Sequence, residues 1–443
     1  MAILEGKHQV IREKLSVRNI SSVVEDGLCT GCGTCCGVCP PHAIEMTRSK
    51  GLLLPAVDTA KCTSCLLCLK SCPGFSLDFH RLNMETFGKQ PEDRYLGNLR
   101  RCFLGHSNDA GIRAASSSGG VASQLLAYLL KNRLIEAAVI ARAIEDKPLE
   151  PEPFVARTED EVLSGSRSKY CPVAIGQTLQ KMRISGGRFA VVGLPCHIHG
   201  IRKAEVANPS LKRKIVMHIG LFCGHTVSFD GTDFVLERLG VRRADVTRLY
   251  YRGNSWPDSM RVETKDNQTI GLRYNRSWNA YWNVFSPFFF TPLRCLMCPD
   301  QFNELADISV GDAWLSELKD RDRGESLIIA RTAAGEELLR NAQRDGFLFI
   351  EGISPEKVKE SQAFNVSFKK KHYARRLRFL YGIGQNVPRV RPLPSSAGSS
   401  ALIGAVVAYV SYRISSNRRL RSFLVSVPLP VFRLYFALFR CVF

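Results

Sequence analysis

The sequence predicts an α/β protein in three parts: a small α+β module near the N-terminus, a mixed-sheet α/β body and a basic C-terminal tail. Three observations predict this. A cysteine run recurs twice before residue 75. From Arg101 to about residue 352, apolar β-branched runs alternate with helical patterns, as in a sheet covered on both faces. The charge is uneven: of a formal +20 over 443 residues, Lys369–Phe443 supplies +14, with three lysines, eleven arginines and no Asp or Glu, leaving about +6 elsewhere.

Residues 1–20 read as a charged leader without the apolar core of a secretory signal, which makes a cytoplasmic location the expectation. The module follows over residues 21–78. Cys29, Cys32, Cys35 and Cys39 are spaced C-x2-C-x2-C-x3-C with Pro40 after them, and Cys62, Cys65, Cys68 and Cys72 repeat the spacing with Pro73 after them. This is the bacterial two-cluster ferredoxin signature, in which the fourth cysteine of each run serves the other cluster. Cys29, Cys32, Cys35 and Cys72 are thus expected to hold one 4Fe–4S centre, and Cys62, Cys65, Cys68 and Cys39 the other. A disulfide framework or paired zinc sites are the alternatives, but zinc prefers two separated C-x2-C pairs, and free thiolates call for a reducing compartment. The glycines at 31, 33 and 37 are expected to relieve crowding against inorganic sulfide. Residues 79–100 are polar and read as a linker, helical in part.

In the body, residues 101–352, Val121–Leu130 is a helical run opened by Ser116–Gly120. Glu136–Ala143, Phe189–Gly193 and Lys214–Leu221 read as strands, with a helix over His199–Ala207. Glu304–Val310 and Leu327–Arg331 read as strands, and Ala334–Gln343 as a helix. Cys196 and Cys223 sit at strand ends, where α/β sheets bind ligands, and Cys295 and Cys298 form a C-x2-C pair. These four thiols suit a third iron–sulfur cluster, a structural zinc or unconnected buried cysteines. Cys36, Cys102, Cys171 and Cys441 receive no role. Ser118, Gly119 and Gly120 open a helix whose free N–H groups suit a phosphate, though Ser-Ser-Gly also serves as an ordinary N-cap. Lys169 and Tyr170 offer a cation and a ring to a dinucleotide, or are surface residues. His197, His199 and His225 are candidate proton donors near the crevice; a histidine at a strand end is more often structural.

Residues 353–400 read as a basic linker, and 401–443 as a basic amphipathic tail. No nucleic-acid motif accompanies the charge, so no nucleic-acid partner is expected. Ala401–Tyr412 is too short to span a bilayer, and Phe423–Phe443 is interrupted by Pro428, Pro430, Arg433 and Arg440. The tail is expected either to lie on an anionic membrane surface, peripheral on its inner face, or to pack on the protein's own body or another subunit.

The order SSSGG-VASQLLAYLL, SKY, VVGLPCHIHGIRK, HIGLFCGH, CLMCPDQFNELADISVGDAW and SLIIARTAAGEELL resembles the family of coenzyme F420-reducing hydrogenase β-subunits over about residues 101–352. That family includes the F420H2 dehydrogenase input subunit and 7-hydroxymethyl chlorophyll a reductase. The resemblance implies a flavin-binding body holding FAD, a 4Fe–4S cluster on Cys196, Cys223, Cys295 and Cys298, and a pyrophosphate site at Ser118, Gly119 and Gly120. It implies flavin-pocket roles for Lys169 and Tyr170. Where members often carry Gln after Pro-Cys, this chain has His197, which leaves the second substrate open.

A flavin exchanges hydrides and single electrons, whereas clusters carry one electron each. The chain is therefore expected to be an iron–sulfur flavoprotein oxidoreductase. It would couple hydride transfer at FAD, with coenzyme F420 or an organic substrate, to one-electron transfer with a redox partner protein or ferredoxin. Its rivals are a ferredoxin-dependent reductase of a specialised metabolite or sugar precursor, and a non-catalytic electron-transfer subunit of a membrane-associated complex.

Overall fold

The structure, a computed structural model, describes residues 19–253, 256, 259–273, 284–318, 323–392 and 400–440. The leader expected over residues 1–20 lies almost wholly outside them, as does Cys441.

Among the described residues the body is built on an eight-stranded mixed sheet. In spatial order its strands are Leu348–Ile353, Arg101–Ser107, Ser326–Ala330, Ile308–Asp312, Ile215–Leu221, Phe189–Gly193, Ala137–Ile144 and Lys147–Ala156. The four from Ile308–Asp312 to Ala137–Ile144 pair in parallel, and every other pairing in the sheet is antiparallel. These parallel strands are largely apolar because both faces are covered. Ala138 and Ile140 face a core with Leu125 and Leu339, whereas Ala137 and Val139 face one with Met182 and Ile201. The helices Val121–Lys131, Pro195–Ala207 and Ala333–Arg344 supply the cover.

Several sequence expectations need correction. A strand over Glu304–Val310 is confined to Ile308–Asp312. Asp300 accepts the backbone N–H groups of Asn303 at 2.8 Å and Glu304 at 3.0 Å and so holds that stretch as a loop. Residues 353–400 are not simply a linker: Pro355–Ser361, Ala363–Val366 and Tyr373–Gly382 are helical. Lys369, Lys370 and Arg376, within the stretch read as a basic linker, are buried.

In the cysteine module, the short helices Thr34–Val38 and Leu67–Lys70 flank an antiparallel hairpin of Ile44–Ser49 with Leu52–Val57. Its strand Ser76–Asp78 pairs in parallel with Arg389–Arg391, which follows the body in the chain. Residues 79–100 begin with the helix Phe79–Phe87, capped by Asp78, which accepts the Arg81 N–H at 3.0 Å. The module docks on the body backbone to backbone. A Cβ on Gly37 would lie 2.0 Å from the Gly176 carbonyl oxygen, and one on Gly200 would lie 2.2 Å from Thr34 Oγ1. Gly37 therefore serves the contact between module and body, a correction to its expected place beside sulfide.

The tail forms the helices Ser400–Ser416, Arg418–Ser426 and Leu429–Arg440. Ala401, Ala405, Ala408, Leu424, Phe432 and Phe439 are buried against the rest of the chain.

Candidate redox site

One edge of the sheet gathers the residues singled out in sequence. The parallel strands Phe189–Gly193, Ile215–Leu221 and Ile308–Asp312 point their C-terminal ends to this edge, delivering Cys196, Cys223 and the run Asp312–Trp314. Ser326 pairs with Asp312 and with Gly105, so the antiparallel neighbours bring Ser326 and Gly105 to the same edge. Along it lie the Ser116–Gly120 loop, then Asp312–Trp314, then Cys223, then Cys196.

Ser118 and Gly119 are clamped onto the sheet. Ser118 Oγ donates to the Glu325 carbonyl at 2.8 Å, and the Gly119 N–H donates to Ser326 Oγ at 3.0 Å. A Cβ on Gly119 would lie 2.5 Å from the Gly105 carbonyl oxygen. Gly120 turns the chain with φ of 78° into the helix Val121–Lys131, which has no side-chain cap. An uncapped first turn with no acidic residue leaves N–H groups and the positive helix end for an anion.

The Ser168 N–H donates to Ser117 Oγ at 2.9 Å, which brings Lys169 and Tyr170 beside this loop. The Lys169 ammonium, however, donates to the carbonyls of Ser166 at 2.6 Å and Arg167 at 3.0 Å, and also to that of Gly165. Desolvation pulls its pKa down to about 7. Tyr170 meets Tyr251 edge to face at 5.8 Å. Next to it, Arg252 pairs with Asp312 and lies 5.2 Å from the Trp256 ring and 5.7 Å from the Trp314 ring. The two indoles stack at 4.7 Å.

Cys196, Cys223, Cys295 and Cys298 converge. Burial pushes the Cys196 thiol well above its ordinary value, and the neighbouring Cys32, Cys223, Cys295 and Cys298 push it further. Burial raises Cys223 to about 12, against the pull of Lys369 and with Cys295 and Cys298 adding to the rise. Such thiols stay protonated unless a cation compensates, and a metal centre supplies that compensation. Among the described residues, no group of three or more His, Cys, Asp or Glu side chains is placed to hold a single metal ion.

The stretch 363–382 wraps this thiol set. Lys369 Nζ donates to the carbonyls of Cys223 at 2.7 Å and Asp300 at 2.8 Å. Arg376 donates to the Leu296 carbonyl and lies 3.6 Å over the Phe368 ring, and Tyr373 donates to the Met297 carbonyl at 3.3 Å. Sequence reading missed these residues, since KKKHYARR looks like a solvated basic face; the interleaved Phe368 and Tyr373 were the available signal.

In the module, Cys29, Cys32, Cys35 and Cys72 neighbour one another, as do Cys39, Cys62, Cys65 and Cys68. Burial pushes Cys29 up to about 12, with Cys72 and Cys32 beside it. Burial raises Cys35 too, with Cys32, Cys72 and Cys29 as neighbours. Cys39 is raised by burial and by Cys65 and Cys62, and Cys68 by burial and by Cys65 and Cys39. Cys32 of the first set neighbours Cys196 of the body, while Cys65 of the second is exposed.

The three candidate histidines are buried or packed near the strand ends. His197 Nδ1 accepts the Leu194 N–H at 3.1 Å, and desolvation lowers its pKa to about 4. His199 Nε2 lies 2.8 Å from Asp300 Oδ2, and the His225 ring lies 4.8 Å from that of Phe288. His197 thus bonds at the start of its own helix, His199 meets Asp300, and His225 meets Phe288.

Comparison with known proteins agrees with this arrangement. Residues 102–180 match the family described as coenzyme F420 hydrogenase/dehydrogenase, beta subunit N-term, and residues 186–356 match the corresponding C terminus. Residues 28–75 match a 4Fe–4S dicluster domain. The coenzyme F420 hydrogenase subunit beta of Methanosarcina barkeri is 26% identical over 278 residues, covering 60% of this chain and 87% of that protein. A subunit of the F420H2 dehydrogenase of Methanosarcina mazei is 26% identical over 341 residues, covering 76% and 88%. The coenzyme F420-dependent sulfite reductase of Methanocaldococcus jannaschii is 26% identical over 375 residues, covering 81% of this chain but only 52% of that protein. A chain of the F420-reducing [NiFe] hydrogenase complex from Methanosarcina barkeri shares the fold, with a TM-score of 0.53 and 23% identity over 68% of this chain and 99% of that one. Module and body together make this an iron–sulfur oxidoreductase chain that belongs to the family of coenzyme F420 hydrogenase/dehydrogenase beta subunits.

Proposed function

We propose that this chain exchanges hydride with a reduced deazaflavin or an organic substrate and passes the electrons singly to a redox partner protein. The observation that carries the reading is the alignment along one sheet edge: the anion-ready loop, the thiol set of the body, then Cys32 of the module beside Cys196. The residues present fit an FAD and three 4Fe–4S clusters. When bound, FAD supplies exchange between a hydride and single electrons, and the clusters supply one-electron sites.

The chain's own residues have four tasks. The uncapped first turn after Gly120 binds the pyrophosphate of FAD. Tyr170, Arg252 and Trp314 line the neighbouring stretch of the edge. Cys196, Cys223, Cys295 and Cys298 hold the body's cluster, with Lys369 and Arg376 fixing the backbone that carries them. Cys29, Cys32, Cys35 and Cys72 hold the inner cluster of the module, and Cys39, Cys62, Cys65 and Cys68 the outer one. The exposed Cys65 then marks where the redox partner or a ferredoxin approaches. The names of the relatives support coenzyme F420 as the hydride carrier.

The test is iron and released-flavin content of anaerobically purified protein, followed by oxidation of reduced F420 with a one-electron dye. About twelve irons and one FAD per chain, as three four-iron centres require, with dye reduction, is the expected result. About eight irons without flavin would overturn it.

A further inference from the structure

The three tail helices bury one side and expose another that is both apolar and basic. In Ser400–Ser416, the helical spacing that buries Ala401, Ala405 and Ala408 turns Leu402, Val406 and Val410 outward beside Ile403. In Leu429–Arg440, Phe432 and Phe439 point in while Val431, Leu434 and Leu438 point out. Between them, Leu420 and Phe423 are exposed, Phe423 by 68%. Nine large apolar side chains are thus exposed on three successive helices.

Their neighbours are cations. Arg413, Arg418, Arg419, Arg433 and Arg440 are exposed on the same helices, and the sequence carries no Asp or Glu after Glu360. The platform is anchored from below. Arg238 donates to the Val425 carbonyl at 2.7 Å and the Val427 carbonyl at 2.8 Å, Arg421 pairs with Asp230, and the Phe290 N–H donates to Ser415 Oγ at 2.7 Å. Among the described residues no single helix is long and apolar enough to cross a membrane, and the last two helices meet at 112°. Their buried residues, Leu424, Phe432 and Phe439, tie both to the protein.

We propose that these helices seat the protein on the surface of an anionic bilayer, the outward apolar residues entering the headgroup boundary and the arginines meeting lipid phosphates. Apolar side chains flanked by long cations suit this boundary, since arginine stems lie along apolar surface while the heads stay with phosphate. Another protein subunit would have to match five cations with carboxylates; the single-sign charge favours a surface that is uniformly anionic. The inference is independent of the proposed redox reaction, because lipid binding is scored without turnover.

The experiment is sedimentation of the cluster-loaded full chain with phosphatidylglycerol vesicles and with phosphatidylcholine vesicles. Two variants are compared: Arg418→Gln/Arg419→Gln/Arg433→Gln/Arg440→Gln, and Phe423→Ser/Leu434→Ser/Leu438→Ser. Visible cluster absorbance per chain, unchanged, shows that each variant has folded. The expected result is binding to phosphatidylglycerol alone, weakened by salt and at least tenfold weaker in each variant. Binding equal to the phosphatidylcholine background, or unaltered in folded variants, overturns the proposal. So does a variant that turns a stable oligomer into a monomer while vesicle binding stays the same, which would assign the face to protein contact.

Discussion

Lys203 Nζ, on the helix that carries Cys196 in its first turn, lies 2.6 Å from the carbonyl oxygen of Cys72 in the module. The ammonium also reaches Ser76 Oγ at 3.2 Å and, with Arg294, is a cation beside the first thiol set. A positive charge here favours the more negative, reduced state of a bound cluster. Replacement by Met keeps the stem and removes the charge. At an effective dielectric of about 20, a unit charge some 6–8 Å away is worth ~2 kcal/mol. Lys203→Met should therefore lower the potential of one cluster by roughly 50–100 mV. An EPR-monitored redox titration reads this directly, and unchanged potentials would remove Lys203 from the electrostatics of the site.

Cysteine removal should separate the sets. Cys298→Ala should lose about four irons per chain, as one four-iron cluster requires, while the spectra of the other two centres persist. Cys72→Ala should disturb the set of Cys29, Cys32 and Cys35, and not that of its own run. If Cys72→Ala instead disturbs the set containing Cys62, the crossed assignment is wrong.

Gly119→Ala places a methyl group 2.5 Å from the Gly105 carbonyl oxygen and 2.9 Å from the Ser326 nitrogen. Overpacking against backbone typically costs about 1–3 kcal/mol, so a lower melting temperature is expected. Because the strained atoms form the anion-ready loop, released flavin per chain should also fall. A variant that melts lower yet retains full flavin would detach the loop from the cofactor.

A buried ionic network crosses the sheet away from the cysteines. His218 Nε2 lies 2.8 Å from Glu205 Oε1, and its Nδ1 lies 2.9 Å from Asp307 Oδ2; Arg202 bridges both carboxylates at 3.1 Å. Burial opposes the His218 charge, and Arg202 repels it, but Glu205 and Asp307 outweigh both and raise its pKa. A raised folded-state pKa stabilises fully below the unfolded value, about 6.5, and that stability is lost as pH climbs through the folded value. The anaerobic melting temperature should thus decline as pH rises above about 6.5. His218→Gln should flatten this slope and cost about 3–5 kcal/mol, as breaking one member of a buried pair does. An unchanged slope would place the titration elsewhere.

Much of this arrangement was legible in the sequence. Thiolate spacing is a local constraint, so the 4Fe–4S dicluster module could be read from the two runs between Cys29 and Cys72 alone. Phe189–Gly193 and the helix after Gly120 were legible because both faces of the sheet are covered and the periodicity is unmixed. The burial of Lys369, Lys370 and Arg376 was not. Composition reports charge, whereas burial depends on carbonyls such as those of Cys223 and Leu296, which the fold delivers from distant segments. The strand Lys147–Ala156 escaped for a related reason: it lies at the sheet edge and carries Pro148, Pro151 and Pro153, tolerable only where a ladder partner is missing on one side.

The pairing of Ser76–Asp78 with Arg389–Arg391 sets a timetable for biogenesis. During synthesis the cysteine loops leave the ribosome early, but the strand that completes their module is made only after the whole body. The surface on which Gly37 docks, around Gly176, is made partway through the body, but the parallel neighbour of Ser76–Asp78 comes only at Arg389–Arg391. The thiols therefore spend much of translation in an unfinished pocket, open to the machinery that delivers iron and sulfide and equally open to oxidation. Emergence of the segment around Val390 closes that window.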